Sequence, residues 1–180
     1  GKSRATSKLF QFMPDLKDYR EYREPFLGGG SVALEVSKRY PHLNIWVNDL
    51  YEPLYNFWRE LQENGQALRD ELVQLKQRHA DQASARNLFL DAKAYLARPL
   101  EDTEDFHRAV SFYVVNKCSF SGLTESSSFS AQASDSNFSI RGIDKLPGYS
   151  EIIKNWRITN YSYDYLLGAE GNAFVYLDPP

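Results

Sequence analysis

Apolar and polar residues follow one another along this chain in several different rhythms. A short extended segment at Tyr22 runs into Gly28-Gly29-Gly30. Ser31-Val32-Ala33-Leu34-Glu35-Val36 then has helical character with Ser31 as its cap, so the pattern predicts strand, tight turn and helix. Pro41 stops that helix. Leu43-Asn44-Ile45-Trp46-Val47 alternates as a second strand ending at Asn48-Asp49, and a second helix follows through Pro53 to Leu61. From Gly65 to Leu96 the residues are mostly Gln, Arg, Lys, Ala and Leu, with Leu68, Leu72 and Leu75 at helical spacing and Pro99 as terminator, which predicts two amphipathic helices. Thr103, backed by Glu104 and Asp105, opens a further helix from Phe106 to Val115 whose first-turn acids suit the helix dipole.

Ser119 to Gly142 is rich in Ser and poor in aliphatic residues, which predicts a long loop or hairpin rather than core. Strand character returns at Trp156-Arg157-Ile158-Thr159-Asn160, and a short helix is expected from Tyr163 to Leu167. Ala173-Phe174-Val175-Tyr176-Leu177 is a continuous apolar run, as in parallel strands buried on both faces. The chain therefore reads as α/β, with a sheet domain at 1–61 and 146–180 and a helical insertion at 62–145. Because the last run meets Asp178-Pro179-Pro180 where the sequence stops, further strands are expected to lie beyond it.

The composition narrows the function classes. With 180 residues, 42% hydrophobic and 25% charged, the chain suits one ordinary globular domain with a small subdomain. A net charge of −3 argues against coating nucleic acid through bulk positive charge. It leaves room for a local basic groove, and the first two dozen residues carry a slight basic excess through Lys2, Arg4, Lys8, Lys17, Arg20 and Arg23. A single cysteine, Cys118, excludes an internal disulfide and fits a reducing, cytoplasmic compartment. Its expected role is that of a small packed thiol. No apolar stretch approaches the roughly 20 residues of a membrane span, and Gly1-Lys2-Ser3-Arg4, with neither an initiator Met nor the apolar core of a signal peptide, reads as a cut start with natural residues expected before it. His42, His79 and His107 are scattered without ligand spacing, so no metal site is expected.

Two constellations carry chemistry. Gly28, Gly30 and Ala33 satisfy G-x-G-x-x-G/A between an expected strand and helix, where backbone N–H groups and the helix N-terminus favour an anionic ligand group. Asp49 follows 21 residues after Gly28 at the end of the next strand, placed either to accept hydrogen bonds from ribose hydroxyls or to cap the following helix. Together they point to a ligand carrying an adenosine, a description that nicotinamide cofactors and S-adenosylmethionine both meet. Asp178-Pro179-Pro180 separates the two. An Asp at a strand tip followed by residues without backbone N–H offers acceptors only, which suits a substrate amino group.

Four segments together carry a resemblance: Glu24 to Val32, Asn48-Asp49, Phe112 to Leu123, and Phe174 to Pro180. In order and spacing they resemble the Dam-type (D12 class) DNA adenine-N6 methyltransferases. The resemblance implies a Rossmann-like methyltransferase sheet with an inserted, mainly helical target-recognition subdomain, and S-adenosylmethionine as donor. It implies Lys2, Phe26, Gly28, Gly30, Ser31, Asp49, Leu50 and Asp164 as donor-site residues, the last within a Tyr163-Asp164-Tyr165 segment lining the adenine ring. Asn116, Lys117, Phe120, Ser121, Gly122 and Thr124 would contact double-stranded DNA. Asp178, Pro179 and Pro180 would be catalytic on a flipped adenine, and a cognate restriction endonuclease is an expected partner. Two departures stand out. The Tyr that follows Asp-Pro-Pro in the family is not in this sequence, and the Ser-rich stretch after Gly122 replaces the Tyr-Arg of the GATC enzymes. N4-cytosine methylation, a non-catalytic cofactor- or DNA-binding fragment and a nicotinamide dehydrogenase are the competing readings.

Overall fold

The computed structural model describes residues 2–120 and 127–180, with side chains from Ala5 onward. Ser121, Gly122 and Thr124 lie outside the described residues. The chain divides into two compact units, Gly1–Tyr55 with Ile152–Pro180, and Asn56–Glu151.

The first unit is built on a four-stranded, wholly parallel sheet in the order β3-β2-β1-β4. Its strands are β1 (Glu21–Glu24), β2 (Asn44–Asn48), β3 (Arg157–Thr159) and β4 (Ala173–Val175). Helix α1 (Lys2–Phe12) precedes β1, and α2 (Ser31–Arg39) connects β1 to β2. The core gathers Tyr22, Val36, Val47, Ile158 and Leu166, all at most 6% exposed. Ser31 is not the cap of α2: the preceding position is Gly30 at φ 73°, with no side-chain cap, so glycine's tolerance of the left-handed region opens this helix.

β4 departs from the fully buried strand that its apolar run predicts. Among the described residues it pairs with β1 alone and is half-buried along its length.

The second unit is helical. Helix α3 (Glu52–Arg78) runs through both the expected second helix and the first amphipathic one, with a break at Asn64 (φ −132°, ψ 37°) instead of a gap. Next to the break, Gly65 lets the chain pass Ser150 so closely that an added Cβ would sit 2.5 Å from the serine Cβ. Helix α4 (Gln82–Leu96) is capped by Asp81, whose carboxylate accepts from the Ser84 N–H. Helix α5 (Asp105–Cys118) is buried at every position from Arg108 to Val115 and packs on α4 and on α6 (Ala131–Ser136). Phe57, Phe112, Tyr113 and Phe138 form a chain of ring contacts at 5.5 to 6.1 Å.

The Ser-rich stretch is more ordered than expected. Ser130 and Ser139 accept from Ala133 N–H and Gly142 N–H, capping α6 and α7 (Ile140–Ile143), and Phe138 between them is 1% exposed. These serines are helix caps, so part of the stretch belongs to the core. Helix α8 (Leu146–Ile153), with Pro147 tolerated in its first turn, was not anticipated; α9 (Asp164–Gly168) lies before β4. No helix among the described residues is long and apolar enough to cross a membrane.

Candidate active site

The carboxyl ends of β1, β2 and β4 open into one cleft of about 860 Å³ within the first unit. In open parallel sheets ligands bind outside these strand ends. Phe26, Gly28, Gly30 and Ser31 from the glycine turn line it, with Asp49 and Leu50 from the end of β2 and Asp178, Pro179 and Pro180 from beyond β4. The glycine turn and Asp178-Pro179-Pro180, with Gly28 and Asp178 150 residues apart in sequence, thus share a single space.

The glycine turn is held from behind. Gly28 sits at φ 52° and Gly30 at φ 73°, both in the left-handed region. A Cβ added at Gly28 or Gly29 would meet no atom within 4 Å, so the turn faces open space, as a close-approaching ligand requires. Asp49 does more than either sequence reading supposed. Its Oδ2 accepts from Gly28 N–H at 3.0 Å and its Oδ1 from Tyr51 N–H at 3.0 Å. One carboxylate therefore fixes the turn and the entrance of α3, and its remaining lone pairs stay available to hydroxyl donors.

Beside it, Asn48 is 1% exposed and uses its whole amide. Nδ2 donates to Pro25 O at 3.2 Å and Tyr161 O at 2.9 Å. Oδ1 accepts from Thr159 Oγ1 at 2.8 Å and Tyr161 N–H at 2.7 Å. Trp46 Nε1 donates to the same Thr159 hydroxyl at 2.9 Å, and Asn160 Nδ2 donates to the carbonyls of Asp49 and Leu50. The tips of β1, β2 and β3 are thereby tied into one network.

Sequence reasoning missed several lining residues. Ala5, Thr6 and Leu9 come from α1, whose segment carried only a charge signal. Glu24 at the tip of β1 is 3% exposed, and Tyr176 after β4 is half-buried; both line the cleft. Burial pushes the Tyr176 phenol up, and the nearby Asp178 and Glu24 carboxylates push the same way, so it stays protonated.

Other predicted site residues stand elsewhere. Asp164 is exposed in the first turn of α9 and is not among the cleft's lining residues; its neighbour Tyr163 reaches Phe26, ring to ring, at 5.4 Å. Lys2 begins α1. In the second unit, Asn116 and Lys117 occupy the last turn of α5. Lys117 is half-buried with its ammonium 5.6 Å from the centre of the Tyr113 ring, and burial lowers its pKa. Residues 118–120 and 128–130 pair antiparallel, through Phe120 N–H to Ser128 O and Ser130 N–H to Cys118 O. Across this pairing, Phe120 is 70% exposed, whereas Phe129 packs on Phe89 at 5.7 Å. Cys118 is buried, which pushes its thiol up to about 11. No group of three or more His, Cys, Asp or Glu suited to a metal ion occurs among the described residues.

A family model described as D12 class N6 adenine-specific DNA methyltransferase matches residues 1–180. Over the whole chain the protein is 23% identical to a type II methyltransferase, M.MjaIII, of Methanocaldococcus jannaschii. It is also 23% identical over its whole length to the type II methyltransferase M1.LlaDCHI of Lactococcus lactis subsp. cremoris. Over 69% of the chain it is 28% identical to a DNA N-6-adenine-methyltransferase of Escherichia phage P1. The chain spans 66%, 62% and 15% of the lengths of these three relatives respectively.

Proposed function

Because the chain belongs to the D12 class of N6 adenine-specific DNA methyltransferases, we propose that its cleft brings S-adenosylmethionine and an adenine amino group together for methyl transfer to duplex DNA. The observation that carries this reading is the convergence of the glycine turn, Asp49 and Asp178-Pro179 on one cleft. The open space in front of Gly28 and Gly29, with the Asp49 carboxylate beside it, fits a donor carrying a charged amino-acid end and a ribose. Phe26, Gly28, Gly30 and Ser31 would hold the first, and Asp49 with Leu50 the second. When bound, the donor supplies an activated, electrophilic methyl group.

The chain's own contribution is at the acceptor. Adenine's exocyclic nitrogen is a poor nucleophile because its lone pair is delocalised into the ring. The Asp178 carboxylate and the Pro179 carbonyl each accept one N–H, draw the nitrogen toward tetrahedral geometry and expose its lone pair. Pro179 and Pro180 bring no competing backbone donor. Transfer would form the N–CH3 bond as the donor's S–CH3 bond breaks, leaving a neutral thioether, with the proton shed by the amine passing to the exposed Asp178 carboxylate and on to solvent. Positioning and electrostatics supply most of the rate. The amine cannot be reached inside a duplex, so the base is flipped out at a cost of a few kcal/mol. The second unit serves target recognition in this reading, with Asn116, Lys117 and Phe120 beside Ser121, Gly122 and Thr124 at the DNA. The type II names of two relatives favour a paired restriction endonuclease.

Two measurements test the proposal: calorimetric titration with S-adenosylmethionine, and transfer of a labelled methyl group to unmethylated duplex DNA with the product base identified. Saturable donor binding and N6-methyladenine are the expected results. N4-methylcytosine, or no saturable donor binding, would overturn it.

A further inference from the structure

We infer that Arg23 is a positioning residue for the transfer step, holding the Asp178 end of the cleft in step with its glycine-turn end; the inference rests on the methyltransferase reading above. Arg23 lies on β1 and is 3% exposed. Its guanidinium is fully committed. Nε and Nη2 donate to Glu21 Oε2 at 2.9 and 2.7 Å, Nη1 to Leu166 O at 3.0 Å and Ala169 O at 2.6 Å, and Nη2 to Glu170 O at 2.8 Å. Three of these acceptors are backbone carbonyls, Leu166 within α9 and Ala169 and Glu170 in the connection that leads from it into β4. The main chain of Arg23 grips the strand itself, since its carbonyl accepts from Tyr176 N–H at 2.9 Å.

Register turns this grip into positioning. Arg23 pairs with Val175. Phe26 and Asp178 each follow three residues later, just beyond the ends of the two strands. The residue that clamps the connection therefore also sets how far β4 has advanced when it delivers Asp178. The fit is close: Gly171, at φ 131°, would bring an added Cβ to 3.3 Å from Nη2. A buried guanidinium is an inefficient way to gain stability, because its desolvation cancels much of the attraction and apolar packing serves as well. What the planar fork offers is fixed geometry toward several acceptors at once. The glycine-turn end has a separate anchor in Asn48, so loss of Arg23 should free the acceptor end selectively.

Arg23→Lys and Arg23→Met, each in the otherwise unchanged protein, test this through donor affinity by calorimetry, single-turnover methyl transfer to duplex DNA at saturating donor, and amide exchange. Donor affinity is expected within about threefold of wild type and transfer at least about tenfold slower, with Lys less impaired than Met. Exchange should accelerate over 166–172 and not over 44–48. Wild-type transfer rates, or a parallel loss of donor affinity and rate, would overturn the inference. Should Arg23→Met not fold, Gly171→Ala, which crowds the same guanidinium from the loop side, must reproduce the slowing, and a normal rate there is equally fatal. A wild-type protein without donor binding would break the methyltransferase reading and any transfer role for Arg23 with it, whereas unchanged exchange over 166–172 in the variants would break the clamp alone.

Discussion

At the glycine-turn end of the cleft, three strand tips are fastened to one another by buried side chains, whereas the Asp178 end is delivered by one strand at the edge of the sheet. Asn48 closes four hydrogen bonds around the first, and Asp49 adds two more. Beyond β4, Asp178, Pro179 and Pro180 are exposed, and among the described residues the strand pairs with β1 alone. The difference matches the two tasks proposed for the cleft. A bound donor is held best by a rigid cradle, because no freedom is then lost on binding. A group that must meet a base arriving from outside the protein needs its aim fixed, and that aim depends on whatever holds β4.

The sharpest way to break this comparison is at the open end. Asp178→Asn keeps the shape but replaces an acceptor oxygen by a donor amide that opposes the substrate N–H. Methyl transfer should fall by at least about a hundredfold while donor affinity stays unchanged. Single-turnover transfer alongside calorimetry reads both, and a rate within a few-fold of wild type would make Asp178 a mere strand end.

At the closed end, Asn48→Ala should destabilise the protein by about 2–3 kcal/mol, because it strips partners from polar groups of two other chain segments, at Pro25 and at Thr159 to Tyr161. Chemical denaturation measures it. An unchanged midpoint would mean that water replaces the amide and that this end is no more rigid than the other. Asp49→Ala should weaken donor binding by about 2 kcal/mol, through the lost acceptor and the loosened Gly28 together. Equal affinities in variant and wild type would reduce Asp49 to a brace for the turn.

The smallest effect sharpens the picture of the turn itself. In the absence of donor, Gly28→Ala should cost about 1 kcal/mol of stability, from the left-handed backbone alone, since its Cβ would meet open space. Gly29→Ala, with the same open space and no positive φ, should be close to neutral. Thermal melting of the pair distinguishes backbone strain from crowding, and equal losses would refute the strain account.

Much of the site was legible because its signals are local. The alternation over Leu43 to Val47, the glycines before α2 and the acceptor-only run at Asp178 each follow from short-range stereochemistry, so strand, turn and strand tip could be placed from the residues alone. The caps at Ser130 and Ser139 were equally local, but a high Ser content suits loops as well as helix ends, and only the burial of Phe138 decides between them.

What the sequence by itself determined, then, is the identity of the chemical groups and the periodicity of the segments bearing them. Which groups meet was decided by tertiary structure. Arg23 reads as one surface charge among six basic residues, until folding brings it against carbonyls 143 to 147 residues away. Asn48 is half of a two-residue motif until Tyr161, 113 residues on, supplies both a donor and an acceptor. The reason is physical: backbone preferences are set by neighbours in the chain, but a buried polar side chain is tolerated only where the fold delivers its partners, and for these two residues most of the partners lie more than a hundred residues distant in sequence.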